Sequence, residues 1–262
     1  MQRKNTLLIQ IFIVISVLIL SPACSTFAPP APTGTSTPMP TATNTVIPTK
    51  TSRPTSTPRP TMTPNLAATQ HMSDLNGEAQ GYFDEGYTSS ADGRFMEYDD
   101  FKEEWAQLGW YSWWVLDQNA KDFYMTAHFK WSSAYRSADL SGCGFAFAIQ
   151  EDQDHYAVFL DQSKVYFVES TDYYRAFSPT HGTGRVDFEN PFDQPAEADF
   201  TLIVKGTTAY VLVDEELIGE YTLAQSKNLR GGLGLTLLSG TNKDFGTRCE
   251  MTNIRVWTPW GG

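Results

Sequence analysis

Four aromatic rings fall within five residues at Trp110-Tyr111-Ser112-Trp113-Trp114. On a β-strand, alternate side chains share a face. Trp110, Ser112 and Trp114 would then share one face, and Tyr111 and Trp113 the other. One set suits a core. The other suits a surface where a flat indole can stack on a sugar ring. Tyr173-Tyr174, between Asp172 and Arg175, is a second cluster beside a loop. Sugar sites combine such platforms with Asp, Asn and Arg as hydrogen-bonding groups. The candidate ligand-binding residues are therefore Trp110, Tyr111, Trp113, Trp114, Tyr173, Tyr174 and Arg175. Core packing is the competing use of the same rings.

Carboxylates offer a second chemistry. Glu151-Asp152-Gln153-Asp154 reads as a hairpin tip, and Asp187, Glu189, Asn190 and Asp193 form a second oxygen-rich run. Oxygen ligands suit Ca²⁺, which makes Asp152 and Asp154 candidate metal ligands. No firm cofactor follows. An EF-hand loop needs Gly at its sixth position, and counting from Asp152 that position is Ala157. Solvated turn acids are the alternative. Gly231-Gly232-Leu233-Gly234 lacks the Lys-Ser/Thr of a phosphate loop and reads as a tightly packed strand entry. Four scattered histidines (71, 128, 155 and 181) make neither a zinc site nor a Cys/His nucleophile pair.

These residues sit in a chain of two materials. Its 262 residues hold 19 Lys+Arg against 30 Asp+Glu, a net charge of −11. Residues 1–70 carry +5 and no acid, while residues 71–262 carry −16. Eleven of the 15 prolines precede residue 65, and all seven Trp follow residue 100. The acidic balance argues against nucleic acid as partner, since phosphate binding needs clustered Lys and Arg. Arg3 and Lys4 precede the apolar run Leu7–Leu20, too short at about 21 Å to span a hydrocarbon core of about 30 Å. An export signal over 1–23 is expected. Ser21-Pro22-Ala23-Cys24 resembles the lipobox of bacterial lipoproteins, although Ser21 stands where that family prefers an aliphatic residue. The resemblance implies lipidation of Cys24, a membrane anchor and a domain on the extracellular face. The Thr/Pro/Ser-rich stretch that follows has too little apolar surface to offset ordering entropy. A disordered tether over 24–75 and a folded domain over 76–262 are expected.

That domain reads as all-β. From Asp122 onward, short alternating runs are separated by turn residues. Cys143, Phe145, Phe147 and Ile149 would share one face, and Gly144, Ala146 and Ala148 the other. Strands are expected over 155–161, 164–169, 199–205, 208–214, 217–221, 232–239 and 248–257. Gln162-Ser163, Gly206-Thr207 and Asp214-Glu215-Glu216 are the turns between several of them. Arg94–Tyr98 and Trp110–Leu116 read as earlier strands. Between these, Asp100-Phe-Lys-Glu103 is capping-box-like, and Phe101, Trp105 and Leu108 would share a helical face. This spacing predicts a two-sheet sandwich with one short helix near its start. Cys143 and Cys249, both in predicted strands of an exported domain, form the natural disulfide pair.

The run H-Y-A-V-F-L-D, then A-Y-V-L-V-D-E-E-L-I-G-E-Y, G-G-L-G-L-T-L-L-S-G and C-E-M-T-N-I-R-V-W resembles the second half of a concanavalin A-like lectin/glucanase jelly roll. The likeness is nearest to laminin-G-like and 3-keto-disaccharide hydrolase domains and covers roughly residues 80–258. It implies a jelly-roll sandwich, and an extracellular glycan as the leading partner, bound without catalysis. A glycoside-processing hydrolase and an adhesion module for protein partners are the rivals. Laminarinase-like relatives carry E-x-D-x-x-E or E-x-D-x-E. Here Glu197-Ala-Asp199 is followed by Thr201 and Leu202 in place of the third acid. No catalytic residue is carried over.

Overall fold

A computed structural model describes residues 66–135, 140–171, 173–188, 194–224 and 228–261. The export signal, Cys24 and the tether up to residue 65 lie outside the described residues, as do Asp172, Glu189, Asn190 and Asp193. Among the described residues, no helix is long and apolar enough to cross a membrane.

Among the described residues, one helix, α1 (Leu66–Asp84), precedes fourteen strands. The first group is β1 (Gly93–Glu97), β2 (Phe101–Trp105), β3 (Trp110–Ala120), β4 (Phe123–Ser133) and β5 (Gly142–Ile149). Next come β6 (His155–Leu160), β7 (Val165–Ser170), β8 (Tyr174–Phe177), β9 (His181–Gly182) and β10 (Ala196–Lys205). The last are β11 (Thr208–Val213), β12 (Glu216–Thr222), β13 (Gly231–Ser239) and β14 (Thr247–Pro259). They make two antiparallel sheets. The six-stranded sheet runs β3-β13-β5-β6-β7-β8. The eight-stranded sheet runs β1-β14-β4-β10-β11-β12-β9, with β2 also paired to β14. Neighbours distant in sequence alternate with hairpins, so the two-sheet jelly roll expected from the sequence is the fold of the domain.

The core lies between the sheets. From β4, β5 and β10, Phe129, Phe145 and Phe200 meet with ring centroids 4.9–5.6 Å apart. All three are fully buried, as is Trp131. Cys143 on β5 and Cys249 on β14 are disulfide-bonded across the sheets, with Cα atoms 5.6 Å apart. The glycines of β13 are there for contact distance. A Cβ on Gly231 would stand 2.6 Å from the backbone of Ala148, and one on Gly234 2.8 Å from the Trp114 carbonyl oxygen. The turn Asp214-Glu215 joins β11 to β12 with both residues in the left-handed region (φ 49° and 67°), as a two-residue hairpin turn with a primed geometry requires.

Three local readings are corrected. The stretch expected as a short helix at 100–108 is strand β2, paired residue for residue with Thr247–Met251 of β14. Phe101 and Trp105 pack onto the core from this strand. Their i, i+4 spacing places them on one face of a strand as well as of a helix. On β5, Ile149 parts from Cys143, Phe145 and Phe147. Ala148 has φ 52°, which interrupts the alternation, so Ala148 joins the core and Ile149 packs on the outer face. Finally, α1 itself was not anticipated, and it crosses the expected tether boundary at residue 75.

The helix covers part of the outer face of the eight-stranded sheet. Leu75 and Ala79 are its buried residues. Ala79 joins Tyr124, Ile203, Leu212 and Trp257, and Tyr82 packs edge-on to Tyr124 at 5.0 Å. Its end is a Schellman-type cap. Gly86 at φ 81° donates to the Phe83 carbonyl, and the Tyr87 amide to the Tyr82 carbonyl at 2.8 Å.

The disulfide closes a sequence separation of 106 residues. In the chain-entropy model this is worth about 4–5 kcal/mol. Urea unfolding of Cys143→Ser/Cys249→Ser should therefore show a stability loss of about that size, and reductant should destabilise the unmodified chain but leave the double variant unchanged.

Candidate functional site

The alternation of β3 separates Trp114 from Tyr111 and Trp113 as the sequence reading requires, but Trp110, expected on the Trp114 face, is exposed and lines the same hollow as Tyr111 and Trp113. Trp114 turns toward the core and meets Phe101 edge-on at 4.9 Å. Tyr111 and Trp113 lie on the outer face of the six-stranded sheet with Ala157, Phe159 and Val168. Tyr174, arriving from β8 at the far edge of the same sheet, stands 6.0 Å from the Tyr111 ring. Between them is a cavity of about 570 Å³, lined by Trp110, Tyr111, Trp113 and Tyr174, with Asp152, Asp154, Ser170 and Thr171 among its polar groups. Trp110 is 63% exposed and Tyr174 46%, so both offer ring surface to solvent.

A buried polar chain forms the floor. His155 Nδ1 lies 2.6 Å from the Gln153 carbonyl oxygen, which can only accept, so Nδ1 carries the proton. Nε2 is then an acceptor, and the Tyr111 hydroxyl donates to it at 2.7 Å. Tyr111 is also hydrogen-bonded to Ser170. Tyr111 and His155 are only 8% and 4% exposed. Burial pushes the Tyr111 hydroxyl above the usual tyrosine range, opposed by the Ser170 hydrogen bond. Burial lowers the His155 pKa, opposed by the hydrogen bond to Gln153 and the charge of Asp154. The Trp113 ring lies 4.6 Å from the imidazole. The aromatic wall is thus fixed from behind by a neutral hydrogen-bonded network.

The hairpin turn 150–154 supplies the rim. Gln153 sits at φ 70°, which aims its carbonyl at His155. The Asp154 amide donates to Asp152 Oδ1 at 3.2 Å. Gln150 braces the turn from below, donating through Nε2 to the carbonyls of Ala148 and Arg230. Asp152 and Asp154 therefore stand at the mouth of the cavity. Among the described residues, no group of three or more His, Cys, Asp or Glu is arranged to hold a metal ion.

Not every candidate meets at this place. Arg175 leaves the face of Tyr174 and lies over the Phe177 ring at 5.2 Å. Phe177 packs on the core between the sheets. Tyr173 is exposed outside the cavity and accepts at its carbonyl from Thr171 in the turn before β8. Conversely, His155 and Ser170 escaped the sequence reading. The signal was present: His155 opens the alternating strand H-Y-A-V-F-L and lies opposite Ser170 in the ladder. The acid pair Glu197 and Asp199 belongs to the other sheet. Glu197 is ion-paired with Lys130, and Asp199 Oδ1 lies 2.9 Å from His128 Nδ1. The hydrogen bond and charge of Lys130 hold the Glu197 carboxyl below its ordinary value.

The buried imidazole gives the cavity a pH dependence. Folding favours neutral His155, whose pKa is lowered, so the unfolded chain binds the extra proton first. This contribution is intact above the unperturbed value of 6.5 and is lost as pH falls below it. Thermal unfolding followed from pH 8 to pH 5 should show Tm falling below about pH 6.5. His155→Gln should lower Tm but flatten that part of the profile; an unchanged slope would contradict a buried neutral imidazole at His155.

No family model matches the chain, and no curated protein matches it. Similar solved structures include the carbohydrate binding module CBM66 from Bacillus subtilis, at 12% identity and TM-score 0.40, covering 62% of this chain and 94% of that one. A fructosyltransferase from A. japonicus matches at 17% identity and TM-score 0.43, over 64% of this chain and 26% of that one. A β-glucanase of Bacillus licheniformis matches at 12% identity and TM-score 0.38, over 54% of this chain and 68% of that one. The chain thus spans about a quarter of the fructosyltransferase.

Proposed function

We propose that this domain binds an extracellular carbohydrate, without turning it over, in the aromatic cavity of the six-stranded sheet. The observation that carries the reading is the convergence of Trp110, Tyr111, Trp113 and Tyr174 on one hollow with a polar rim. Its volume of about 570 Å³ lies within the range of small-ligand sites, roughly 300–1,000 Å³. Flat rings cover the apolar faces of a sugar, and Asp152, Asp154 and Thr171 are placed to meet its hydroxyls. The charge of −16 over residues 71–262 disfavours sulfated or uronic ligands. Calcium, if used, would be held at the rim by Asp152 and Asp154.

The same reading places the chain at the cell envelope. Cys24 would carry the lipid and the Thr/Pro-rich stretch would hold the domain away from the membrane. Replacing Cys24 with Ser should release the protein from the membrane fraction and abolish incorporation of labelled fatty acid.

The binding proposal is tested with the full chain on a broad array of neutral glycans, with and without calcium. Trp113→Ala and Tyr174→Ala should each weaken binding by about tenfold or more, from lost ring contact and buried area. Asp152→Asn and Asp154→Asn should each retain it. Turnover abolished by one carboxylate substitution would support the hydrolase instead. A blank array in both conditions would remove the carbohydrate reading and leave a protein-binding module.

A further inference from the structure

A second hollow lies on the opposite side of the domain, where α1 meets the outer face of the eight-stranded sheet. It has a volume of about 440 Å³. Its wall comes from four elements and the β11–β12 turn that carries Glu215. The helix gives Glu78 and Tyr82, β4 gives Thr126 and His128, β10 gives Asp199 and Thr201, and β14 gives Asn253 and Arg255. The register explains the gathering. Asp199 and Thr252 flank His128, while Thr201 and Arg255 flank Thr126. A bulge between Thr252 and Arg255 inserts one extra residue into β14, and Asn253 sits there at φ 54°. The bulge lets Asn253 and Arg255 both reach the same hollow, and bulges often re-aim side chains in this way.

The chemistry of this wall differs from that of the aromatic cavity. Acceptors and donors alternate. Arg255 Nη2 donates to Glu78 Oε2 at 2.9 Å, and the Thr201 hydroxyl donates to Thr126 Oγ1 at 2.9 Å. His128 and Asp199 form the next pair along the strands. Yet the central ion pair is incomplete. Glu78 Oε1 and Arg255 Nε are both buried without a hydrogen-bond partner among the described residues. Leaving such atoms unsatisfied is costly. The Glu78 side chain is 22% exposed, so its carboxylate borders the hollow. Burial raises the Glu78 pKa, against the opposing charge of Arg255.

We propose that this hollow is a second binding site, for a neutral polyhydroxylated molecule such as a hexose or hexitol. A hydroxyl can donate to a carboxylate oxygen and accept from a guanidinium N–H at the same time, and unlike water it can be one of several held on a single molecule. Several hydroxyls on adjacent carbons match a wall in which donors and acceptors alternate. Three carboxylates (Glu78, Asp199 and Glu215) face one guanidinium here, which disfavours an anion. Because the helix supplies Glu78 and the sheet supplies Arg255, the ligand would bridge the two and hold α1 on the sheet.

Hydrogen exchange on the full chain tests this, first on the unmodified protein and then on variants. Glucose, galactose, mannose and mannitol are titrated separately, with glucuronate as the anionic counterpart. At least one neutral compound should slow exchange of the amides of residues 75–84 saturably, by about threefold or more, and glucuronate should not. Glu78→Gln should weaken that protection at least tenfold, the scale of a hydrogen bond to a charged group. Thr201→Val, which keeps the ion pair, should weaken it less, and Trp113→Ala should leave it in place. Absence of protection with all four neutral compounds would mean that the hollow holds only water and would overturn the proposal. So would protection that survives Glu78→Gln or vanishes in Trp113→Ala.

Discussion

The contact on which the domain rests is the one between the middles of its two sheets. Phe129, Phe145 and Phe200 interlock there, and the Cys143–Cys249 disulfide closes the gap beside them. Each sheet alone would expose one continuous apolar face. Stacked, they bury it. Everything functional hangs on this clamp, because it fixes which side of every strand looks outward. With Cys143 and Phe145 turned in, Tyr111, Trp113 and His155 are turned out, and the same is true of His128 and Asp199 on the other sheet.

The two outer faces then diverge. That of the six-stranded sheet is apolar and aromatic, with its polar groups confined to a hydrogen-bonded floor and a turn at the rim. That of the eight-stranded sheet is partly roofed by α1, and its open part is lined by ion pairs and hydroxyls. One fold thus carries a stacking surface and a hydrogen-bonding hollow on opposite sides. The clamp separates them physically, so substitutions on one side should leave the other largely undisturbed, as additivity at distant sites implies.

Much of this was legible in the sequence, and the exceptions have definite causes. Alternation and turn residues are local signals, and they located most of the strands and the hairpin turns between them. The separation of Trp114 from Trp113 followed from the same period. Strand β2 was misread because residues four apart satisfy both helical and strand periods, and Phe101 and Trp105 are four apart. The reversal at Ala148 has no sequence mark, since a left-handed alanine looks like any other. The helix α1 carries Gly77 and Gly81 and buries only Leu75 and Ala79, so its stability comes from the sheet beneath it rather than from its own pattern. Arg175 and Tyr173 seemed to belong with Tyr174. The register of β8 and the turn before it decided otherwise, and that depends on the partner strand. Glu78 and Arg255 lie far apart along the chain, and only the bulge in β14 and the docking of α1 bring them together.

The distribution of the seven tryptophans has an optical consequence. Trp131 and Trp257 are sealed in apolar surroundings, and their indole N–H groups find no hydrogen-bond partner among the described residues. Trp110 and Trp260 stand largely in water. Indoles in these two settings emit at different wavelengths, the sealed ones toward the blue and the wetted ones toward the red. The intrinsic fluorescence of the domain is therefore a composite, with one component tied to the integrity of the interior. The other comes in part from the mouth of the aromatic cavity, where an aqueous quencher can reach Trp110 while the folded interior stays dark to it.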